Sequence, residues 1–170
     1  MGSTYAAVKD CIYRNPGIHF NEICRELDIA TGQTQYHVRR LAKQETIRTE
    51  SISGRTHYYP PTFSAWERGA IALLRRETSR EIVLLLFTYD DLCPAEIADK
   101  LDVARSTVEW HLSRLVEYDI VTKDRTDSTL VVRLRKQTEL YRLLREIEPR
   151  LIDRLVDRFA RLTDELFDDT

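Results

Sequence analysis

Glycine and proline are scarce in this sequence, with 5 of each among 170 residues, and no stretch is compositionally monotonous. Flexible and proline-rich linkers depend on these residues, so we expect folded structure along nearly the whole chain. No segment approaches the roughly 18 to 20 uninterrupted apolar residues that a membrane-spanning helix needs. The first ten residues, MGSTYAAVKD, lack the basic flank and apolar core of a secretory signal. We therefore expect a cytoplasmic protein without membrane contact.

Cysteine is also rare, and the three residues Cys11, Cys24 and Cys93 are widely spaced and odd in number. This arrangement argues against a disulfide framework or a zinc knuckle, and we expect buried thiols. His37 and His111 have no further ligands at metal-binding spacing, so we expect packed or hydrogen-bonded histidines and no metal. The sequence contains no phosphate-cradling glycine loop, HExxH or nucleophile elbow. We expect neither a cofactor nor enzymatic activity.

The net charge of −2 is not that of a nonspecific nucleic-acid binder, but the charge is unevenly distributed. Residues 1–63 carry 8 Lys and Arg against 6 Asp and Glu, residues 64–137 carry 12 against 13, and residues 138–170 carry 6 against 9. The N-terminal part is therefore the basic part of the chain.

Two segments of the chain repeat one pattern. Residues 31–41, TGQTQYHVRRL, align without a gap with residues 105–115, RSTVEWHLSRL, at an offset of 74 residues. An internal repeat of this length predicts two similar modules, which we place at residues 1–62 and 63–136.

Each module is predicted to contain three helices followed by a β-hairpin. The helical spacing of apolar residues gives the helices, and alternation around Ser53-Gly54 and Asp127-Ser128 gives the hairpins. A helical region follows Pro60-Pro61 and is expected to break near Thr78. Residues 137–170 then predict a long amphipathic helix that caps its module and also forms a dimer seam, whose predicted contacts are Leu144, Leu151, Leu155, Phe159, Leu162 and Leu166.

Residues 22–41, EICRELDIATGQTQYHVRRL, and residues 96–115, EIADKLDVARSTVEWHLSRL, resemble the helix-turn-helix of winged-helix transcriptional regulators of the ArsR, MarR and TrmB type, especially archaeal ones. The acidic, Arg-rich composition would fit a haloarchaeal source. The resemblance implies a mainly α fold with small β-hairpins, built from two tandem winged helix-turn-helix domains. Both modules depart from the family where a glycine usually ends the third helix, since Glu45 and Asp119 stand there.

In such a fold the third helix presents its outer face to the DNA major groove. At 100° per residue, the third helix of the first module has Thr34, Val38 and Leu41 on its inner face. Gln can read adenine edges, and Arg can read guanine or clamp phosphate. Together with the wing, the predicted DNA contacts are Thr31, Gln33, Gln35, Tyr36, Arg39, Arg40, Lys43, Arg48 and Arg55.

The second module carries Glu109, Ser113 and Glu117 where the first has Gln35, Arg39 and Lys43. Carboxylates facing phosphates disfavour duplex binding, so we predict that the first module is the main DNA reader. A second contact surface stays open, with the candidates Arg105, Ser106, Thr107, Trp110, Arg114, Lys123 and Arg125.

The sequence is compatible with two functions. One is a homodimeric, sequence-specific regulator that binds double-stranded DNA. The other is a winged-helix protein-protein interaction module within a transcription or other assembly, with little or no specific DNA binding. The acid-free outer face of residues 33–43 favours DNA.

Overall fold

The computed structural model describes residues 3–148, which form two compact units that meet between Ala72 and Leu73. The predicted order of helices and hairpin is present in both units. The elements of the first unit are α1 (Thr4–Arg14), β1 (Ile18–His19), α2 (Phe20–Leu27), α3 (Thr31–Lys43), β2 (Arg48–Ile52), β3 (Arg55–Tyr59) and α4 (Ala65–Leu74), the last of which runs past the boundary.

The helices of the first unit begin and end where local chemistry requires it. Ser3 caps α1, since its hydroxyl accepts a hydrogen bond from the Ala6 N–H. The turn after Asn15 includes Gly17 at φ +81°, a conformation that glycine adopts without strain. At the start of α2, the Glu22 carboxylate accepts a hydrogen bond from the His19 N–H at 3.2 Å.

The core of the first unit lies between its three helices and the sheet. Val8 and Ile12 of α1, Ile23 of α2 and Leu41 of α3 have no exposed surface. Burying a side chain of this size stabilises the fold by about 1.5–3 kcal/mol. The apolar stripe predicted for α3 is confirmed, because Thr34, Val38 and Leu41 are its buried residues.

The sheet of the first unit has three antiparallel strands in the order β1-β3-β2. The hairpin was predicted, but β1 was not. It has only two residues, Ile18 and His19, which pair with Tyr58 and His57 and are too few to show an alternating pattern. The strand β2 therefore lies at the edge of the sheet, with β3 as its one hydrogen-bonded neighbour in the described chain.

The second unit repeats this plan. Its elements are α5 (Glu77–Thr88), β4 (Asp91–Leu92), α6 (Pro94–Leu101), α7 (Arg105–Glu117), β5 (Val121–Thr126), β6 (Thr129–Leu134) and α8 (Gln137–Ile147). The helices α6 and α7 begin and end 74 residues after α2 and α3, and the sheet has the order β4-β6-β5. The break between α4 and α5 falls at Arg75 and Arg76, slightly before the predicted position.

The repeat extends to the backbone conformation of the turns. Asp28 and Asp102 end the second helix of each unit in the left-handed conformation, at φ +49° and +52°. Glu45 and Asp119 follow the third helix at φ +54° and +57°. The turn into each wing thus has the left-handed geometry that glycine normally supplies, although neither residue is glycine.

These observations confirm the predicted fold class of two tandem winged helix-turn-helix domains, mainly helical with small antiparallel sheets. The predicted long C-terminal helix is described only as far as Ile147 in α8. Its remaining part lies outside the described residues. Within residues 3–148, no helix combines the length and apolar character needed to cross a bilayer.

Candidate nucleic-acid interface

The outer face of α3 is polar, exposed and free of acidic residues. Gln33, Gln35, Arg39 and Lys43 are all exposed, and Tyr36 is 61% exposed. A tyrosine ring at this exposure on a helix whose inner face is fully buried is available to an external partner. The buried stripe fixes the rotation of α3, so these side chains project from the unit together.

A groove of about 960 Å³ lies between α2, α3 and the wing of the first unit. Arg25 of α2, Arg39 of α3 and Arg55 of β3 all line it. None of its twelve lining residues, all within the described chain, is acidic. Three guanidinium groups around an open groove without a carboxylate form a suitable surface for phosphate oxygens.

Arg25 was not among the predicted contacts, which were limited to the third helix and the wing of the first module. Its place at the groove follows from the packing of α2 beside α3 and the wing. Thr31 and Gln35, which were predicted as contacts, line the same groove.

Arg39 and Arg40 have different surroundings, although both are exposed. The Arg40 guanidinium lies 4.8 Å from the centre of the Tyr5 ring, a cation-π contact that restrains it. Tyr5 also donates a hydrogen bond to the Gln44 side chain, just after α3. Arg40 is therefore held beside α1, whereas Arg39 faces the groove.

The wing of the first unit turns at Ser53 and Gly54, whose φ values are +51° and +77°. Two consecutive positive φ values are typical of a tight type I′ hairpin turn. Arg55 follows immediately and is exposed. Arg48 lies at the other end of the hairpin, where its Nη1 is 3.8 Å from the Glu45 carboxylate in an exposed pair that contributes little stability.

His57, Tyr58 and Tyr59 are buried, so they pack within the unit and are not exposed for stacking on bases. The Tyr59 hydroxyl donates to the Arg68 carbonyl at 2.7 Å, and His57 Nδ1 lies 2.7 Å from the Gly17 carbonyl oxygen. Burial raises the pKa of Tyr58 above its ordinary value. These contacts hold β3, and with it the wing, against the rest of the first unit.

The corresponding surface of the second unit is chemically different. The Lys123 ammonium is 2.6 Å from the Glu109 carboxylate, so this cation is already paired. Arg114 lies over the Trp110 ring at 3.6 Å and donates to the Trp110 carbonyl. Among the other candidates, Arg105, Ser106 and Arg125 are exposed, and Thr107 is half-buried.

The histidine and cysteine predictions have mixed outcomes. His111 Nδ1 lies 2.8 Å from the hydroxyl of buried Ser79, and burial, together with nearby Arg76 and Arg114, lowers the His111 pKa. Cys11 is buried, which raises its pKa to about 11, whereas Cys24 and Cys93 are only half-buried. Residues 3–148 contain no cluster of His, Cys, Asp or Glu suited to a metal ion.

One predicted dimer contact needs correction. Leu144 is fully buried together with Leu140 and Leu143, so it belongs to the interior and has no exposed surface to offer a second chain. The other predicted contacts lie outside the described residues, namely Leu151, Leu155, Phe159, Leu162 and Leu166.

The fold and this surface define a tandem winged helix-turn-helix protein, and comparison with known families agrees. Residues 3–71 match the family model of an N-terminal HTH domain. Residues 76–123 match the model of the arsR family of bacterial regulatory proteins. The chain thus contains two helix-turn-helix domains in tandem, and the second is similar to the arsR family.

Among curated proteins, the chain is similar to the "Uncharacterized HTH-type transcriptional regulator MJ1398" of Methanocaldococcus jannaschii, at 26% identity over 134 residues. That match covers 77% of this chain, which spans about one third (33%) of the relative's length.

Two solved structures are distantly similar. Overoxidized AbfR bound to DNA has 17% identity and a TM-score of 0.40, covering 85% of this chain and 97% of that one. The mRNA-binding domain of elongation factor SelB from E. coli, in complex with SECIS RNA, has 16% identity and a TM-score of 0.31, covering 78% and 99%. At these scores neither likeness bears on function.

Proposed function

We propose that this protein is a transcription regulator that binds double-stranded DNA sequence-specifically, as a homodimer, through α3 of its first unit. The observation that carries the proposal is the exposed, acid-free face of α3 beside a groove lined by Arg25, Arg39 and Arg55. The two helix-turn-helix family matches and the regulator named among the relatives agree with it.

The chemistry of this face suits the two tasks of a DNA reader. The guanidinium groups that border the groove can bind phosphate oxygens and set the position of the unit on the duplex. Gln35 and Arg39, on successive turns of α3, can then contact base edges in the major groove. Tyr36 can add contact with a sugar or with a thymine methyl group.

A dimer would raise the affinity of a single small unit. Two reading helices about one helical turn of DNA apart would bind two half-sites of an inverted repeat. The apolar pattern of residues 150–167 supports this part of the proposal by sequence alone.

The alternative is a protein-protein interaction module, and one observation favours it for the second unit. Lys123 is neutralised by Glu109, and the outer face of α7 also carries Glu117. A surface of this kind repels phosphate and suits a protein partner better. We assign this alternative only to the second unit.

The test is selection of bound sequences from a random pool of double-stranded DNA, with the Arg39→Ala/Arg40→Ala variant in parallel. Enrichment of an inverted repeat that the variant loses is the expected result. Failure of the wild type to enrich any sequence would contradict sequence-specific binding. Equal enrichment by the variant would contradict reading through α3.

A further inference from the structure

Two hydrogen bonds join the wing of the first unit to Arg68 of α4, and a third joins Arg68 to the segment between them. The Arg68 Nε donates to the Glu50 carboxylate of β2 at 2.7 Å, and its Nη1 donates to the Phe63 carbonyl at 2.8 Å. The Tyr59 hydroxyl, at the end of β3, donates to the Arg68 carbonyl at 2.7 Å. One residue of α4 thus contacts both strands of the hairpin.

The position of Glu50 gives this contact a mechanical role. It lies in the middle of β2, the edge strand of the sheet, and is paired with His57 of β3. The Arg68 side chain is 19% exposed and that of Glu50 is 36% exposed, so the ion pair is partly shielded from solvent. Such a pair restrains an edge strand more effectively than a fully exposed one.

Glu50 is also the one acidic residue in the hairpin sequence from Arg48 to Tyr59. Its charge lies on the element that carries Arg48 and Arg55 toward the proposed DNA. An unpaired carboxylate there would oppose phosphate binding. The ion pair with Arg68 offsets the charge of Glu50.

In the second unit, as far as Glu148, the position matched to Glu50 makes different contacts. The residue 74 positions after Glu50 is Asp124, whose carboxylate accepts from the Thr122 hydroxyl at 2.9 Å and lies 3.8 Å from Arg133. Both contacts are to residues of the same hairpin. The wing of the second unit is joined to a helix at a different position, through the Lys123 ammonium, which lies 2.6 Å from the Glu109 carboxylate of α7. Among the described residues, the ion pair at the Glu50 position is therefore particular to the first unit.

We propose that Arg68 is a positioning residue, which holds the wing through Glu50 so that Arg48 and Arg55 meet the DNA backbone. This inference rests on the proposed function. It makes the acceptor that Glu50 provides for Arg68, on a DNA-facing element, necessary for tight binding.

Charge alone and positioning predict opposite results, which makes the proposal testable. If Glu50 acts only through its charge, both Glu50→Gln and Glu50→Ala should tighten DNA binding, because each removes a negative charge. If Glu50 holds the wing, Glu50→Ala should weaken binding about 5- to 10-fold, whereas Glu50→Gln should bind close to wild type because it keeps an acceptor for Arg68. The matched control is Glu45→Gln, which removes an acid outside this ion pair and should tighten binding slightly.

The double variant Glu50→Ala/Arg68→Met sharpens the test because it leaves the net charge unchanged. Positioning predicts binding as weak as in either single variant, and charge alone predicts wild-type affinity. A merely structural loss is separated by repeating Glu50→Ala in an Arg48→Ala/Arg55→Ala background, where the effect should disappear if it acts through these arginines. Thermal unfolding of every variant shows that it is folded.

The experiment measures dissociation constants for the duplex enriched by selection and for a duplex of random sequence, at one fixed salt concentration. Two results would overturn the positioning role while leaving the proposed function intact, provided that the wild type binds DNA. One is tighter binding by Glu50→Ala, and the other is wild-type affinity of the double variant. Absence of binding to both duplexes by the wild type would overturn the proposed function and this inference with it.

Discussion

The third helices of the two units share a backbone and differ in surface chemistry. Both α3 and α7 have 13 residues, follow an alanine cap and end before a left-handed acidic residue. Their inner faces are equally buried. Their outer faces differ, because three polar or basic positions of α3 are occupied in α7 by Glu109, Ser113 and Glu117. The inner positions preserve the fold, so the outer positions are free to determine what each unit binds.

A second difference concerns the pairing of cations. In the second unit, Lys123 contacts Glu109, Arg133 contacts Asp91, and Arg135 contacts Asp119, which leaves Arg105 and Arg125 as its exposed candidates without a hydrogen-bonding or ionic partner among residues 3–148. In the first unit, Arg39, Lys43 and Arg55 have no hydrogen-bonding or ionic partner among residues 3–148. An unpaired exposed cation can bind a phosphate without first breaking an internal ion pair. The number of arginines therefore says less about DNA binding than their pairing does.

The largest expected effect tests the part of the comparison in which the units agree. Leu41 and Leu115 occupy matched positions and have no exposed surface. Leu41→Ala and Leu115→Ala should each lower the free energy of unfolding of their unit by about 2–5 kcal/mol. Hydrogen exchange of the full chain in denaturant, analysed separately for each unit, measures both. A loss confined to one variant would show that the two cores are not equivalent.

The next effect tests the part in which the units differ. Arg39→Ala/Arg40→Ala should weaken binding to the selected duplex on the order of 100-fold, mainly through Arg39, which faces the groove, since a direct contact contributes about 1–3 kcal/mol. The matched pair Arg105→Ala/Arg114→Ala should weaken it by less than about threefold, because Arg114 is engaged with Trp110. Fluorescence anisotropy titrations measure both. The reverse order of effects would assign DNA reading to α7.

The comparison can also be broken by design. Glu109→Gln/Ser113→Arg/Glu117→Lys gives α7 the outer chemistry of α3 and releases Lys123 from its ion pair. In the Arg39→Ala/Arg40→Ala background, this triple variant should regain about tenfold in affinity for duplex DNA, with a steeper salt dependence. Titrations at several salt concentrations measure both quantities. An unchanged affinity would mean that the second unit is kept from DNA by something other than these charges.

A smaller effect concerns the turn into each wing. Glu45 and Asp119 have left-handed backbones at φ +54° and +57°, which cost a non-glycine residue about 1–2 kcal/mol. Glu45→Gly should therefore stabilise the first unit by about 1 kcal/mol. Asp119→Gly should gain less, because it also loses contacts with Arg135 at 3.0 Å and Lys136 at 3.4 Å. Chemical denaturation measures both, and equal gains would show that these ion pairs contribute nothing.

The fold could be predicted from the sequence in detail because the same order of helices and hairpin occurs in both modules. Buried positions such as Val38 and Leu112 follow helical spacing, and the hairpin turns have recognisable residues. The two-residue strands β1 and β4 were missed because no periodicity can appear over such a length. Arg68 was also missed, since its contact with Glu50 joins residues 18 positions apart that only the tertiary fold brings together.

The outer face of α3 was predictable because it follows from helical geometry, but the pairing of charges was not. The ion pair of Lys123 with Glu109 links a strand to a helix, and Arg25 reaches the groove from α2, which was not predicted to contact DNA. These contacts depend on how elements pack. A sequence pattern identifies which side chains point outward, whereas the structure decides which of them are already engaged.

The smallest expected effect is a dependence of stability on pH in the second unit. Burial, and then the charges of Arg76 and Arg114, lower the His111 pKa below its ordinary value of 6.5. The unfolded chain therefore binds a proton at a higher pH than the folded chain does, and the stability that His111 contributes is present above pH 6.5 and is lost as the pH falls toward its folded pKa. Comparing unfolding at about pH 7.5 and about pH 5.5, wild type should lose more stability than His111→Gln, which cannot titrate. Arg114→Ala should lie between them, since it removes one of the charges that oppose protonation. Equal losses in all three proteins would show that His111 is protonated as easily in the folded unit as in the unfolded chain.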